Sequence, residues 1–271
     1  MDLDVDGRAM PVVLKRAGRV EVAAMRALAV VPGIDRPRPL AIGRDWLVLP
    51  FVDGGALPDT APVPDTVFEV LARVHAHWWR KRPRGLPVVD AGWWARLCDH
   101  VLVAVRGALA RTGEPEFAEA ERALVAWRAD PRIRAALAVL PRTLVHGDPH
   151  RGNVLVDDAG AVLIDWGNAR VAPAGLDLAV LGAQGASPPT VYDELFAELT
   201  GAGSRLREVE APWADVQVNV QYLGFAADHL GAGRVHEMIT TAGKALDALG
   251  AASRFTASSG KYQPHSRPHR T

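Results

Sequence analysis

Three oxygen-bearing side chains, Asp148, Asn153 and Asp165, fall within one short stretch of the sequence. Carboxylate and amide oxygens, without a thiol or a paired imidazole, are the ligands that a hard cation such as Mg²⁺ prefers, and Mg²⁺ usually completes its shell with water and substrate phosphates. Phosphoryl transfer needs alignment, charge neutralisation and a carboxylate that positions the acceptor hydroxyl. The sequence therefore predicts nucleotide chemistry, with Asp148 as that carboxylate.

A predicted hairpin brings these residues together. Apolar residues 154–156 and 161–164 flank Asp157-Asp158-Ala159-Gly160, whose composition is typical of a turn. In an antiparallel hairpin the start of the first strand meets the end of the second. We therefore expect Asn153 and Asp165 to lie side by side, with Asp148 on the loop before them.

A second group of elements opens the chain. Residues 3–5 and 11–14 are predicted strands joined by a turn at Asp6-Gly7, and Lys15 ends the second strand. Glu21 begins a predicted helix. A lysine on a strand and a glutamate that opens the next helix can form an ion pair that holds the ammonium against nucleotide phosphates. The alternatives are a solvated lysine and a glutamate that only stabilises its helix dipole.

The rest of the chain is predicted to be mainly helical. Residues 46–49 form a predicted strand that runs into Asp53-Gly54-Gly55, and the architecture changes at about residue 53. The helices beyond it are predicted at residues 67–79, 93–112, 116–129, 191–200 and 213–249. The tail after residue 250 lacks acidic residues and is predicted to be disordered.

The motifs His146-Gly147-Asp148, with Asn153 after it, and Ile164-Asp165-Trp166 resemble the signature of the aminoglycoside phosphotransferase and choline kinase superfamily. The resemblance implies an α+β, protein-kinase-like fold with two lobes, a small amino-terminal β-sheet lobe and a mainly helical carboxy-terminal lobe. It implies that Asp148 is the catalytic carboxylate and that Asn153 and Asp165 hold Mg²⁺.

The same resemblance assigns further residues. It implies that Lys15 pairs with the nucleotide phosphates and that Glu21 orients it. The Pro50 carbonyl and the Val52 amide would meet the adenine edge, a use of the backbone that proline permits because only its donor is missing. Support of the catalytic loop would come from His146 and Asp177.

The resemblance also divides the chain. The expected parts are a nucleotide-binding lobe at residues 1–52, a catalytic and substrate lobe at 53–250, and a disordered tail at 251–271. Only 14 residues precede Lys15, so the first strand and the glycine-rich loop of the family are expected to be missing.

The function implied is that of an ATP-dependent, or GTP-dependent, kinase. It would phosphorylate a hydroxyl of an antibiotic-like natural product, such as an aminoglycoside, and so confer resistance. Two alternatives stay open. One is a kinase of a primary metabolite, an amino alcohol or a sugar, and the other is a non-catalytic ligand-binding module, favoured by the expected loss of the glycine-rich loop.

Composition narrows the partners. Lys plus Arg and Asp plus Glu both number 31, so no net field favours a nucleic acid or an anionic membrane. The single cysteine, Cys98, excludes an intramolecular disulfide. No apolar run approaches the roughly 18 residues that span a bilayer, and a cytoplasmic location is expected. The predicted partner is a small molecule with a hydroxyl group.

Two weaker signals concern the acceptor. Six acidic residues between positions 191 and 215 could attract a cationic acceptor, although a solvated helix face is the commoner explanation. The doublets Trp78-Trp79 and Trp93-Trp94 could form an aromatic wall, although core packing is the expectation.

Overall fold

The computed structural model describes residues 2–5, 7–186, 190–202 and 207–259. The chain begins with a small antiparallel sheet in the strand order β1-β2-β4-β3. Its strands are β1 (Asp2–Val5), β2 (Arg8–Arg16), β3 (Ala41–Ile42) and β4 (Trp46–Pro50). The small amino-terminal sheet predicted from the sequence is confirmed.

Helix α1 (Arg19–Leu28) packs against this sheet. Its apolar face includes Met25 and Leu28, which are buried with Leu47 of β4 in one hydrophobic cluster. Burying such a face stabilises a short helix more than its intrinsic propensity does. The helix therefore fixes Glu21, in its first turn, beside the end of β2.

The remainder of the described chain is mainly helical, as predicted. The helices are α2 (Asp65–His77), α3 (Ala91–Thr112), α4 (Pro115–Trp127), α5 (Pro131–Val139), α6 (Gly175–Gly182), α7 (Thr190–Thr200), α8 (Arg207–His229) and α9 (Ala232–Ser259). Local signals set several ends. The Asp90 carboxylate accepts from the Trp93 amide at 2.7 Å at the start of α3, and Gly113 ends α3 in the left-handed region.

Two boundaries differ from the sequence expectation. The helix predicted over residues 213–249 is two helices, because Gly231 adopts a φ of 83° and its amide bonds back to the Ala226 carbonyl at 3.0 Å. Helix α9 continues to Ser259, so residues 251–259 of the predicted disordered tail are helical. Residues 260–271 lie outside the described residues.

A second, three-stranded sheet carries the candidate catalytic hairpin. Its order is β5-β7-β8, formed by β5 (Gly55–Ala56), β7 (Val154–Asp157) and β8 (Gly160–Leu163). A separate pair, β6 (Thr143–Val145) and β9 (Arg170–Ala172), flanks the same region. The loop between β6 and β7 holds Asp148.

Two hydrophobic clusters support these elements. One joins α1, β4, α2 and the β7–β8 hairpin, so the small sheet and the hairpin rest on shared packing. The other lies among α3, α4, α5, α8 and α9. Within the described ranges, no helix has the length and apolar character needed to cross a bilayer.

Candidate active site

The β7–β8 hairpin places Asn153 beside Asp165, as the sequence predicted. Val154 pairs with Leu163, and just beyond this pair the Ile164 amide donates to the Asn153 carbonyl at 2.8 Å. Asp165 follows in the left-handed region, with a φ of 59°. Such a conformation is uncommon outside glycine and is often found at functional sites.

Lys15 connects the first sheet to this hairpin. Its Nζ lies 2.7 Å from Glu21 Oε1 and 3.1 Å from Asp165 Oδ1. Partial burial by itself lowers the pKa of Lys15, but the hydrogen bonds to the two carboxylates outweigh it and hold that pKa above its ordinary value. The ammonium is therefore fixed and charged beside Asp165, and the predicted Lys15–Glu21 ion pair is present.

Asp148 lies on the loop that precedes the hairpin. Its backbone carbonyl accepts from Asn153 Nδ2 at 2.9 Å, which ties the loop to the hairpin. Its carboxylate accepts from Asn168 Nδ2 on Oδ2, at 3.0 Å, and from the Tyr222 hydroxyl on Oδ1. Both carboxylate oxygens therefore have a donor from the protein.

Asp177, in α6, accepts hydrogen bonds from the loop that carries Asp148. Its carboxylate accepts from the amides of His146 and Gly147, each at 2.7 Å, and lies 3.1 Å from His75 Nε2. Complete burial by itself raises the pKa of Asp177, but the donors from His75 and the loop amides hold that pKa below its ordinary value. A buried carboxylate thus fixes the loop backbone.

His146 adds a second constraint on the loop. Its Nε2 lies 2.8 Å from the Ile164 carbonyl, and its Nδ1 lies 3.2 Å from the Asp148 amide. The ring must donate at Nε2 and accept at Nδ1, which is the neutral form. Burial lowers the pKa of His146 and favours that form. The ring therefore links the loop to the residue before Asp165.

Gly147 is required at its position. It has a φ of 83°, and an added Cβ would lie 2.3 Å from the Asn168 carbonyl oxygen. Its own carbonyl accepts from Arg170 Nη2 at 2.8 Å and from Gln221 Nε2 at 3.0 Å. The backbone on either side of Gly147 is thus held by α6 and α8 at once.

The proposed adenine edge lies at the end of β4. The Leu40 amide donates to the Val48 carbonyl at 2.8 Å, on the edge of β4 that faces away from β2. Backbone groups alternate in direction along a strand, so the Pro50 carbonyl points to the same edge as that of Val48. Val52 follows directly after the strand. This orientation is compatible with a ligand edge at Pro50 and Val52.

The donor set fits a magnesium ion. Asn153 uses its Nδ2 as a donor to the Asp148 carbonyl, which leaves Oδ1 as the acceptor atom of the amide. Asp165 supplies a carboxylate that is exposed. The described residues contain no cluster of three or more His, Cys, Asp or Glu that could hold a metal. A Mg²⁺ ion bound by two side chains together with phosphates and water needs no such cluster.

Several residues of the site carry no local signal in the sequence. Tyr222 and Gln221 come from α8, more than 70 positions after Asp148, and nothing in the spacing of that helix singles them out. Asn168 lies three positions after Asp165, so a search for polar residues around the Ile164-Asp165-Trp166 motif would find it. His75 lies on α2, and its contact with Asp177 is tertiary.

The two weaker signals about the acceptor have different outcomes. Asp193, Glu194 and Glu198 are exposed on α7, as a solvated helix face would be, whereas Glu210 and Asp215 line a cavity of the helical lobe. Trp94 is buried, and Trp93 lies under the Arg170 guanidinium at 5.0 Å. Neither tryptophan is among the described residues that line that cavity.

The small sheet, the helical lobe and the loop–hairpin site together define a protein-kinase-like fold of the phosphotransferase type. Residues 6–212 match the Phosphotransferase enzyme family. The chain belongs to this family.

Individual relatives are distant. The thiamine kinase of Escherichia coli (strain K12) is 26% identical over 162 residues, which are 58% of this chain and 50% of that protein. The chain therefore spans about half the length of the curated relatives it matches.

Solved structures share the fold. A choline/ethanolamine kinase family protein from Mesorhizobium loti matches with a TM-score of 0.58 and 16% identity, over 92% of this chain and 88% of that one. A spectinomycin phosphotransferase in complex with ADP and spectinomycin matches with a TM-score of 0.50 and 14% identity, over 93% of this chain and 88% of that one.

Proposed function

We propose that this protein is an ATP-dependent kinase that transfers the γ-phosphoryl group to a hydroxyl of a small molecule. One observation carries the proposal: Lys15 Nζ lies 3.1 Å from Asp165 Oδ1, at the same hairpin whose preceding loop holds Asp148. On this proposal, Lys15 is the phosphate-binding cation and Asp165 a metal ligand beside it, and Asp148 is the acceptor-binding carboxylate.

The nucleotide would lie between the small sheet and the hairpin. Lys15 would bind its phosphates, with Glu21 as the counter-charge, while Pro50 and Val52 would bind the base edge. The ADP in the spectinomycin phosphotransferase of the same fold supports a nucleotide as ligand. Asn153 and Asp165 would hold Mg²⁺, which supplies charge neutralisation at the phosphates when bound.

Asp148 would bind and align the acceptor hydroxyl. The acceptor oxygen forms a bond to the γ-phosphorus, the bond from that phosphorus to the β–γ bridging oxygen breaks, and ADP leaves. The hydroxyl proton passes to Asp148. Asp177 and His146 hold the loop so that this carboxylate keeps its position relative to the hairpin.

For the acceptor we favour a hydroxyl-bearing natural product of the antibiotic type, whose phosphorylation would confer resistance. A second candidate is a primary-metabolite alcohol, which the thiamine kinase relative favours. The two candidates share the proposed site and differ only in the acceptor.

A phosphate-transfer screen tests the proposal. Purified protein is incubated with Mg²⁺-ATP or Mg²⁺-GTP and with panels of aminoglycosides, macrolides, chloramphenicol, thiamine, amino alcohols and sugars. Mass spectrometry then reads the mass of one added phosphoryl group on the acceptor. The proposal is wrong if no acceptor gains mass and neither nucleotide binds, and the binding-module alternative then replaces it.

A further inference from the structure

A cavity of about 260 Å³ lies behind Tyr222, the residue whose hydroxyl donates to the Asp148 carboxylate. His150, two residues after Asp148, and Tyr222, which donates to Asp148, both line it. The cavity shares Val218, Asn219 and other lining residues with a neighbouring cavity of about 480 Å³. Their combined size suits a small organic ligand.

The wall of the first cavity is mostly apolar. Its apolar lining residues are Val180, Ala183, Val218, Phe225, Ala226, Leu230 and Met238. No carboxylate is among its described lining residues, and the arginine among these, Arg234, is paired with Glu237 at 3.0 Å. An amine placed here would lose hydration without gaining a counter-ion from the wall, which is costly.

Among the described lining residues of these two cavities, carboxylates belong to the farther one. Glu210 and Asp215 are part of its wall, and they do not line the cavity at Tyr222. The body of an acceptor that lies next to its reacting hydroxyl would therefore meet apolar surface. This arrangement is opposite to the one that a polycationic aminosugar requires.

The Tyr222 hydroxyl donates to the carboxylate that an acceptor would need. A carboxylate oxygen can accept more than one hydrogen bond, but an acceptor hydroxyl that comes from this cavity approaches Asp148 past Tyr222 and competes with it for Oδ1. Tyr222 also forms part of the cavity wall. Of the two described donors to the Asp148 carboxylate, Tyr222 is therefore the one that lines this cavity.

We propose that Tyr222 determines acceptor specificity: its hydroxyl holds the acceptor's place on Asp148, and the cavity behind it takes an acceptor whose body is uncharged and apolar. This inference rests on the proposed function, because it assigns the acceptor part of that site. On binding, the acceptor hydroxyl displaces the tyrosine hydroxyl and takes over its hydrogen bond.

The first test measures binding of chloramphenicol, which carries hydroxyls on an uncharged aromatic body, and of kanamycin, a polycation, by calorimetry with a non-hydrolysable Mg²⁺-ATP analogue. We expect chloramphenicol to bind at least tenfold more tightly. Tyr222→Phe should tighten chloramphenicol binding further, by about tenfold, because the ligand no longer competes for a hydrogen bond to a charged group. A merely structural role predicts weaker binding or no change.

The second test introduces a charge. Leu230 is half exposed and lines the cavity, so Leu230→Asp should fold and shift the preference towards kanamycin by at least fivefold. Val103→Asp, at an exposed position on α3 outside the cavity, is the matched control and should leave the preference unchanged.

The outcomes distinguish a failure of the proposed function from a failure of the inference about Tyr222. If the nucleotide analogue does not bind and the acceptor screen is negative, both the proposed function and this inference are wrong. If the nucleotide binds and phosphate is transferred, but kanamycin is preferred, chloramphenicol does not bind, or Tyr222→Phe fails to tighten binding, only the assignment of the cavity and of Tyr222 is overturned.

Discussion

Asp148 is a carboxylate whose two oxygens are both held by neutral donors, Asn168 and Tyr222. Neutral donors orient a carboxylate without neutralising it. We therefore expect these two donors to orient the carboxylate towards an acceptor hydroxyl. Lys15, on β2, is instead bound to Glu21 and Asp165.

Replacing Asp148 by Asn tests whether Asp148 acts on the acceptor while Lys15 and Asp165 act on the nucleotide. Asp148→Asn keeps the size of the side chain but removes the proton acceptor, so we expect transfer to fall by at least about a hundredfold. Binding of Mg²⁺-ATP should change less than threefold, because Lys15 and Asp165 are untouched. Turnover and nucleotide affinity are measured on the same preparation, and turnover close to that of the wild type would contradict the assigned role.

Asp177 is expected to stabilise the fold in a pH-dependent way. Its pKa in the folded protein lies below the ordinary value of 3.8. Its contribution to stability is therefore fully present above that value and is lost as the pH falls through the folded pKa. Asp177→Asn should lower the free energy of unfolding at pH 7 by about 3 kcal/mol, because the buried donors of His146, Gly147 and His75 lose their anionic acceptor.

Urea unfolding at a series of pH values checks this expectation. The difference between wild type and Asp177→Asn should be constant from pH 7 down to about pH 5 and should shrink below pH 3.8. A constant difference across the whole acidic range would show that the stabilisation does not depend on the charge of Asp177.

At the scale of elements, one loop and one hairpin form the site. The loop between β6 and β7 is held by α6 through Asp177 and by α8 through Gln221. The hairpin is held by its own ladder and by β5. The position of Asp148 relative to Asp165 thus depends on helices that lie far apart in sequence.

Gly147→Ala should disturb this loop specifically. The positive φ disfavours alanine, and the new Cβ would lie 2.3 Å from the Asn168 carbonyl oxygen, so the loop must shift. A shift of this kind is expected to lower the rate of phosphoryl transfer at least tenfold. Gly233→Ala, in helix α9 with open space at its Cβ, is the matched control and should stabilise slightly and leave transfer unchanged. Equal kinetics for both variants would contradict a need for glycine at residue 147.

At the scale of the whole molecule, the proposed nucleotide contacts residues of both the small sheet and the hairpin. A ligand that binds only the folded state stabilises it in proportion to its occupancy, by about 2.7 kcal/mol when its concentration is about 100 times Kd. We therefore expect saturating Mg²⁺-ATP to raise Tm by several degrees.

Removing the metal should reverse most of this stabilisation. With EDTA present, the shift in Tm caused by ATP should shrink, because Asn153 and Asp165 would then face the phosphates without a cation. In Asp165→Asn the shift should depend less on Mg²⁺ than in the wild type. Differential scanning calorimetry of both proteins, with and without Mg²⁺, measures these shifts in Tm. A wild-type shift that EDTA leaves unchanged would argue against Asn153 and Asp165 as metal ligands.

The sequence determined those parts of the site whose residues lie close together along the chain. Asn153 and Asp165 flank a hairpin whose apolar strands and turn composition specify its own register, so their adjacency followed from the pattern alone. The pairing of Lys15 with Glu21 followed in the same way from a strand and the helix after it. The small sheet and the mainly helical remainder were also predicted, because long periodic segments carry the strongest signal.

The tertiary structure decided what packs around these parts. Tyr222 and Gln221 reach the loop only because burial of apolar faces elsewhere on the chain brings α8 to it, and His75 of α2 reaches Asp177 in the same way. No local spacing records these contacts. The extension of α9 to Ser259 likewise depends on more than composition. A hairpin encodes its own geometry in neighbouring residues, whereas a cavity between helices exists only after the core that separates them has formed.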